Sequence, residues 1–319
     1  MKSLIKPERL CRGDTVAMVA PASAPPDPKA VDRAVTALER FGFRPKLAKH
    51  VRARLGFLAG TDRERAADLM AMFTDKRVKA ILCLRGGYGT SRILARLDYD
   101  LIRRHPKILS GYSDITSLQL ALIRKAGLIC FHAPMLNGEL ADPKIPPFTR
   151  AGFLRTVMEA APAGSLSEGY EGKTMAVLRP GTVEGRLMGG NLTLICASLG
   201  TPFVPSFKGK ILFFEDVSEK PYRLDRSLTH LLNAGVLSQV AGVAVGVNQD
   251  CQDPNAKPGG EYRQSAADVI KERLSSLRVP VVVGLPFGHV RLNATIPLGV
   301  RATLDGRRGD LIITEPAVR

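Results

Sequence analysis

Strand patterns alternate with helix patterns through the first 131 residues, and this alternation constrains the fold more than any other feature of the sequence. Apolar runs typical of buried strands occupy residues 14–20, 78–84, 107–111 and 128–131. Helical spacing of apolar residues and a Thr61-x-x-Glu64 capping box predict helices at residues 27–41, 61–72 and 116–126. Strands that alternate with helices form a parallel sheet covered on both faces. We therefore predict an α/β fold with a parallel sheet in its first half.

The composition changes near residue 160, where Pro, Gly, Ser and Glu become frequent around Ala161-Pro162-Ala163-Gly164-Ser165. Such a segment is typical of a linker between domains. Beyond it, short strand patterns outnumber helical ones. We therefore predict an N-terminal domain at residues 1–160, a linker at 161–181, and a strand-rich, mixed α/β C-terminal domain at 182–319.

The chain is strongly basic, with 46 Lys and Arg against 30 Asp and Glu and a net charge of +16. The basic residues are spread along its whole length, aromatic residues make up only 6% of it, and no basic helix, zinc finger or RNP-type run is visible. This distribution indicates a solvated basic surface that attracts anionic small substrates. We expect no specific nucleic-acid partner.

Two further features concern the compartment. The five cysteines are scattered without a CxxC pair, which predicts neither a disulfide framework nor a zinc site: Cys11, Cys83, Cys130, Cys196 and Cys251. No apolar stretch approaches the ~20 residues that span a bilayer, and the N-terminus lacks the apolar segment of a signal peptide. We expect buried free thiols, a cytoplasmic location and no membrane partner.

A glycine-rich segment, Arg85-Gly86-Gly87-Tyr88-Gly89, directly follows a predicted strand. Backbone N–H groups point outward at the carboxyl end of a parallel sheet, so the segment is a candidate anion or oxyanion cradle. It lacks the G-x-G-x-x-G spacing of a dinucleotide site and the Lys-Ser/Thr ending of a phosphate loop. Three interpretations stay open at this point: an anion cradle, a tight turn needed only for packing, and a nucleotide site.

A second strand leads into Gly111-Tyr112-Ser113-Asp114, and a helix follows. A serine on a sharp strand-to-helix turn is the geometry of a nucleophile elbow, in which the next amide, here that of Asp114, binds the oxyanion. The match is partial, because Ile115 stands where the hydrolase elbow has its second glycine. The alternative role of Ser113 is to cap the helix.

A nucleophilic serine needs a base and an orienting acid. His289 follows a predicted strand in a Gly/Pro loop, and His132 ends a strand at the same sheet edge as Ser113, so both are candidates. Glu215 and Asp216 end an otherwise apolar strand, where a carboxylate is costly unless it is paired. The alternative for Glu215 is a structural salt bridge to one of the many arginines.

Six segments together resemble the LD-carboxypeptidases, serine peptidases that remove the terminal D-alanine from muropeptide tetrapeptides in peptidoglycan recycling. The resemblance runs from about Asp14 to Thr314. The segments occur in the family's order and approximate spacing: Val19–Ser23, Arg85–Gly89, Gly111–Asp114, Gly189–Leu192, Phe214–Asp216 and Gly284–His289. Gly189–Leu192 matches a family motif to which the sequence assigns no role.

The resemblance implies a Rossmann-like N-terminal domain that carries the serine and a β-rich C-terminal domain that carries Glu and His, usually in a homodimer. It implies that Ser113 is the nucleophile, Glu215 the orienting acid and His289 the general base. The amides of Asp114 and of the turn with Gly86 and Gly87 match the oxyanion hole. It also implies a muropeptide substrate, with no metal or cofactor.

Three points stay open beside this resemblance. We expect an arginine near the site to bind the free carboxylate of the substrate, and Arg85 is the candidate. Within the family, the microcin C self-immunity type cleaves aminoacyl nucleotides and uses an aromatic platform for the base, whereas this chain contains no tryptophan. A non-catalytic protein that binds muropeptides or another anionic ligand is the alternative from a different class.

Overall fold

The computed structural model describes residues 3–172, 175–253 and 264–319, which form two β-sheets with helices packed around them. All five cysteines are free thiols, and Cys83, Cys130 and Cys251 are buried as predicted; the prediction is wrong for Cys11, which is exposed, and for Cys196, which is half-buried. In chain order the strands are β1 Thr15–Val19, β2 Arg44–Leu47, β3 Val78–Cys83, β4 Ile108–Gly111, β5 Cys130–His132, β6 Gly164–Ser165, β7 Ala176–Arg179, β8 Thr182–Asn191, β9 Ile211–Glu215, β10 Gly242–Val247, β11 Val281–Gly288, β12 Ile296–Leu298, β13 Arg301–Asp305 and β14 Asp310–Ile313.

The helices begin where the sequence supplies starting signals. Thr61 and Glu64 form the predicted capping box at the start of the second helix, and proline occupies the first turn of the fifth and the seventh. A 3₁₀ helix at Thr90–Arg96 and a π turn at Leu122–Ala126 complete the helical segments. In chain order the α-helices are α1 Ala30–Arg40, α2 Asp62–Thr74, α3 Tyr99–Arg104, α4 Ile115–Ala121, α5 Pro147–Met158, α6 Leu192–Ser198, α7 Pro221–Asn233 and α8 Ala266–Ser275.

The first sheet has the strand order β12-β5-β4-β3-β1-β2. Its strands β1 to β5 pair in parallel, and only β12 runs antiparallel, on the outer edge of β5. The central strands are apolar and buried, as parallel strands covered on both faces must be. The predicted parallel-sheet, Rossmann-like fold of the first half is confirmed.

The second sheet has the order β6-β14-β13-β8-β9-β10-β11-β7. Strands β8 to β11 are parallel to one another, and antiparallel strands flank them on both sides. This arrangement confirms the strand-rich, mixed α/β second half. All four parallel strands end at the same edge of the sheet, so the residues that follow them lie together.

The two sheets share parts of the chain across the predicted domain division. The segment 161–181 contributes β6 and β7 to the second sheet, whereas β12, from beyond residue 182, pairs with β5 of the first sheet. The division into 1–160, 161–181 and 182–319 stays a prediction.

The carboxyl ends of the parallel strands of both sheets meet where α4 packs on β8. The amide of Asn191 donates to Thr116 Oγ1 at 3.0 Å, which joins the end of β8 to the first turn of α4. Gly190 permits this approach, because it has φ +141° and a Cβ there would lie 2.5 Å from the Thr116 side chain. The contact brings the turn after β4 beside the ends of β9 and β11.

Candidate active site

The turn after β4 holds Ser113 in a strained conformation. Its backbone has φ 61°, in the left-handed region that residues other than glycine rarely adopt. The cap position of α4 is Asp114, and no side-chain hydrogen bond caps this helix. The Ser113 side chain therefore does not cap the helix. Strain of this kind at a serine between a strand and a helix is the geometry of a nucleophile elbow.

The glycine-rich turn after β3 packs directly against Ser113. A Cβ at Gly86 would lie 3.0 Å from the Ser113 Cβ and 3.2 Å from the Asp114 nitrogen. Ser23, in the loop after β1, holds the turn: its amide donates to the Gly86 carbonyl at 3.1 Å, and its hydroxyl accepts from the Tyr88 amide at 3.1 Å. The loops that follow the neighbouring strands β1, β3 and β4 of the first sheet thus lie together at the serine.

Free backbone donors surround the serine. Within the described ranges, the amides of Gly86, Gly87 and Asp114 have no hydrogen-bond acceptor. Two belong to the glycine-rich turn, and the third follows Ser113. Unpaired N–H groups beside a half-buried serine are suited to bind an oxyanion. The nucleotide-site interpretation of the turn stays a prediction.

The Asp114 side chain fastens the two turns together. Its Oδ2 accepts from the Thr90 amide at 2.8 Å, and the Thr90 hydroxyl donates to the Asp114 carbonyl at 2.6 Å. Burial raises the pKa of this carboxyl, against the lowering effect of the bonds from Thr90. The carboxyl is thus engaged in holding the two turns together, which is a structural role.

On the second sheet, Glu215 ends β9 and His289 follows β11, and their side chains pair. His289 Nδ1 lies 2.7 Å from Glu215 Oε2, and the Glu215 side chain is fully buried whereas that of His289 is 19% exposed. Burial raises the pKa of Glu215. Burial alone lowers the pKa of His289, but the hydrogen bond and charge of Glu215, with the charges of Asp216 and Glu139, outweigh it and raise that pKa. Glu215 therefore pairs with a histidine and not with an arginine.

Asn191 is a site residue whose role the sequence did not reveal. Its Nδ2 donates to Asp216 Oδ1 at 2.9 Å and lies 3.5 Å from Glu215 Oε1. Asp216 also accepts from the amide and the hydroxyl of Thr193, at 3.0 and 2.8 Å. The motif at Gly189–Leu192 was the available signal: it places an amide side chain at the end of β8, next to the end of β9.

His132, the other candidate base, lies in a different environment. It is fully buried among the rings of Tyr112, Phe213 and Phe287. Neither ring nitrogen has a hydrogen-bond partner within the described part of the chain, and burial lowers its pKa to about 3. A neutral, unpaired imidazole lacks the acid that would orient it, so His132 is a packing residue.

The two halves of the site meet at Tyr112 and His289. The Tyr112 ring packs edge-on against the His289 imidazole, with centroids 4.7 Å apart, and Tyr112 directly precedes Ser113. No hydrogen bond joins Ser113 to His289 within the described residues, and in unliganded enzymes such bonds are often long. Arg85 lies at the same sheet edge, half-buried, where its Nη1 donates to the Ala24 carbonyl at 3.0 Å.

The described residues contain neither a metal-binding cluster nor a membrane-spanning helix. Among residues 3–172, 175–253 and 264–319, no group of three or more His, Cys, Asp or Glu is arranged to hold a metal ion. Over the same ranges, no helix combines the length and the apolar character needed to cross a bilayer.

Known proteins resemble this chain over almost its whole length. Residues 16–133 match the LD-carboxypeptidase N-terminal domain and residues 184–304 the LD-carboxypeptidase C-terminal domain. A probable murein peptide carboxypeptidase of Bacillus subtilis is 42% identical, over 94% of this chain and 91% of its own.

Solved structures show the same relation. The crystal structure of a muramoyltetrapeptide carboxypeptidase from Oxalobacter formigenes superimposes with a TM-score of 0.81 at 30% identity, covering 95% of this chain and 99% of its own. A microcin C7 self-immunity protein in its apo state superimposes with a TM-score of 0.87 at 26% identity, covering 99% and 100%. With its sequence motifs, its two sheets and these similarities in agreement, the chain belongs to the LD-carboxypeptidase family of peptidases and is a hydrolase.

Proposed function

We propose that the protein is a serine-type LD-carboxypeptidase that releases the terminal D-alanine from muropeptide tetrapeptides in peptidoglycan recycling. The observation that carries the proposal is the buried Glu215–His289 pair at 2.7 Å, set beside a serine with a strained backbone. An acid, a base and a nucleophile in this relation are the parts of a catalytic triad. The similarity to proteins named as murein peptide and muramoyltetrapeptide carboxypeptidases supports the substrate class.

In the first half of the proposed reaction, Ser113 Oγ attacks the carbonyl carbon of the L,D peptide bond, and His289 takes the hydroxyl proton on Nε2. Glu215 accepts the hydrogen bond from Nδ1, which fixes the tautomer and stabilises the imidazolium. The negative oxygen of the tetrahedral intermediate lies against the free amides of Asp114 and of the turn with Gly86 and Gly87.

In the second half, the carbon–nitrogen bond breaks and His289 gives its proton to the departing D-alanine amine. Water then enters and attacks the acyl carbon while His289 accepts one of its protons; the bond from that carbon to Ser113 Oγ breaks, and His289 returns the proton to the serine oxygen. His289 thus carries every proton that moves, and the triad, the oxyanion amides and water account for all the bonds made and broken.

Recognition of the terminal residue requires a cation for its free carboxylate, and we assign this role to Arg85. One of its Nη atoms is held by the Ala24 carbonyl, which fixes the guanidinium beside the glycine-rich turn. Inversion of the terminal Cα exchanges the directions of the methyl group and the carboxylate. A site that binds the carboxylate of a D-residue therefore leaves that of an L-residue unpaired, at a cost of several kcal/mol in a dry site.

The test is release of the terminal amino acid from three matched peptides, measured by mass spectrometry. We expect cleavage of the tetrapeptide with an L,D terminus and at least about 100-fold slower cleavage of its L,L counterpart and of its amidated form. Arg85→Gln should raise KM for the L,D peptide and leave the amidated peptide unaffected. Equal cleavage of L,L and L,D peptides would show that the carboxylate argument is wrong.

A second candidate is cleavage of an aminoacyl-nucleotide conjugate, which one observation favours. Phe57 and Tyr88 are 64% and 47% exposed, and their rings lie 5.6 Å apart beside the turn that contacts Ser113. Exposed aromatic rings can stack on a base, so this pair is the candidate aromatic platform in a chain without tryptophan. Faster cleavage of an aminoacyl sulfamoyl adenylate than of the tetrapeptide, at equal concentration, would select this function. Retention of a complete acid, base and nucleophile disfavours a non-catalytic binding protein.

We also propose a cytoplasmic homodimer. The five free thiols support a reducing compartment, and the dimer follows from the family resemblance. Sedimentation of the purified protein tests the dimer, and a monomer at micromolar concentration would contradict it.

A further inference from the structure

A chain of hydrogen bonds connects the residue before Ser113 with the residue before His289. The Tyr112 hydroxyl donates to Glu139 Oε1 at 2.9 Å, and Asn293 Nδ2 donates to the same oxygen at 3.2 Å. The Gly288 amide donates to Asn293 Oδ1, also at 3.2 Å. One carboxylate therefore links the nucleophile turn of the first sheet to the histidine loop of the second.

The bridge is built from well-shielded groups. Asn293 is fully buried and Tyr112 is only 9% exposed, whereas Glu139 is half-buried. Glu139 Oε2 is held in turn by the Met135 amide at 3.2 Å. Hydrogen bonds to a charged group are shorter and stronger than neutral ones, and removal of the acceptor would leave buried donors unpaired. The chain thus resists sliding of one sheet edge against the other.

The bridge also determines where the imidazole lies. His289 is held at Nδ1 by Glu215, its ring contacts the Tyr112 ring, and the preceding peptide group is tied through Asn293 to Glu139. Ser113 and His289 are 176 positions apart in sequence, and no direct hydrogen bond joins them among the described residues. We propose that Glu139 is a positioning residue that keeps Ser113 and His289 in the relative position that the reaction requires. This inference rests on the proposed function, and Glu139 itself touches none of the reacting atoms.

The charge of Glu139 supplies a second, independent readout. The groups that face His289 are Glu215 and Asp216 from the end of β9, Tyr112 from the turn after β4, His132 from β5, and Glu139. His132 is neutral across the working range because its pKa is about 3. The negative charge of Glu139 favours the protonated imidazole. Removal of that charge should therefore move the acidic limb of the pH profile to lower pH.

The experiment compares Glu139→Gln and Tyr112→Phe with the control Tyr99→Phe. Glutamine cannot accept all three donors that face Glu139, since its amide nitrogen is itself a donor. Tyr99 is a fair control because it is half-buried and its hydroxyl makes one hydrogen bond of 2.8 Å, to the Leu94 carbonyl, away from the site. We expect Glu139→Gln to lower kcat about 10- to 100-fold with KM changed less than about threefold. Tyr112→Phe should lower kcat less, and Tyr99→Phe should leave it unchanged.

A substrate-independent assay separates this inference from the proposed function. A fluorophosphonate phosphonylates an activated serine and releases fluoride, so its rate reports the Ser113–His289 geometry without a muropeptide. Labelling of Ser113 in wild type without peptide cleavage would overturn the proposed substrate alone. A folded Glu139→Gln variant with wild-type kcat and labelling rate, or with an unmoved acidic limb, would overturn the positioning role. Wild-type protein that neither cleaves nor labels would overturn both.

Discussion

The turn that carries Ser113 and the strand ends that carry Glu215 and His289 are built in opposite ways. The first is local: four consecutive residues, 111–114, form a strained turn whose shape is fixed by close packing against Gly86. The second joins side chains 74 positions apart through one buried hydrogen bond of 2.7 Å. The nucleophile turn therefore depends on the lack of a side chain at Gly86, which allows close packing. The base side depends on the charged, hydrogen-bonded pair of Glu215 and His289.

The difference has a physical reason. A strained backbone persists only when its surroundings leave it no relaxed alternative, and glycines allow loops to approach closely enough to provide that constraint. A buried carboxylate, by contrast, is stable only with donors around it, and Glu215 and Asp216 share His289, Asn191 and Thr193 for this purpose. Changes of volume should damage the first region, and changes of hydrogen bonding the second.

The sharpest test removes one catalytic side chain from each region. Ser113→Ala and His289→Ala should each lower kcat by about 10³-fold or more, and the double variant should lose little beyond either single one, because the residues act as one unit. Turnover of the L,D tetrapeptide measures the effect. His230→Ala, at an exposed histidine of α7, is the control and should keep full activity. Strictly additive losses would mean that the two regions act separately.

Volume at the nucleophile side is tested by Gly86→Ala. The new methyl group would lie 3.0 Å from the Ser113 Cβ and 3.2 Å from the Asp114 nitrogen, in the cradle for the oxyanion. Loss of one oxyanion donor costs about 10²- to 10³-fold in kcat, and we expect a decrease near 10²-fold with KM little changed. Gly152→Ala, at a position of α5 with no atom within 4 Å of the added Cβ, is the matched control. Unchanged kcat in Gly86→Ala would remove this turn from the oxyanion hole.

The contact between the two regions, where Gly190 at the end of β8 packs against Thr116 of α4, is tested by Gly190→Ala. This substitution should act mainly on stability. At φ +141° and 2.5 Å from Thr116, an alanine is both strained and overpacked, so we expect a loss of about 2–4 kcal/mol in the free energy of unfolding. Gly152→Ala should instead gain up to about 1 kcal/mol, because alanine favours a helix interior. Urea unfolding measures the free energy of unfolding of both variants. A Gly190→Ala protein as stable as wild type would show that β8 and α4 can move apart at this contact without loss of stability.

The same contrast explains what the sequence could predict. The alternating strands, the Thr61 capping box, the turn after β3 and the elbow at Ser113 are specified by neighbours in the chain, and local patterns indicate them. The choice between an elbow and a helix cap at Ser113 needed the backbone angle, which no pattern supplies.

Other features depend on partners far away in the chain. The roles of Asn191 and Glu139 arise only when β8, β9 and the turn after β4 are brought together, and β12 joins the first sheet across about 160 residues. His132 ends a strand and His289 follows one in the predicted pattern, so the sequence retained both as candidate bases. Burial distinguishes them: one lies unpaired among aromatic rings, and the other pairs with Glu215.

The charges on the base side lead to the smallest expected effect, a displaced pH profile. His289 must be neutral to accept the Ser113 proton, so kcat/KM falls as pH decreases through the pKa of the His289–Glu215 pair. Burial lowers that pKa, but Glu215, Asp216 and Glu139 outweigh it and raise it. The acidic limb should therefore lie above the ordinary histidine value of about 6.5.

Two variants decide which groups set that limb. Asp216→Asn removes one of the charges that stabilise the imidazolium, so the limb should move to lower pH even where kcat also falls. His132→Phe should leave it in place, because His132, with a pKa of about 3, stays neutral throughout. The profile of kcat/KM for the L,D tetrapeptide between about pH 5 and 9 measures both. A limb below 6.5 in wild type would mean that burial outweighs the carboxylates, and the base side would then depend on packing as the nucleophile side does.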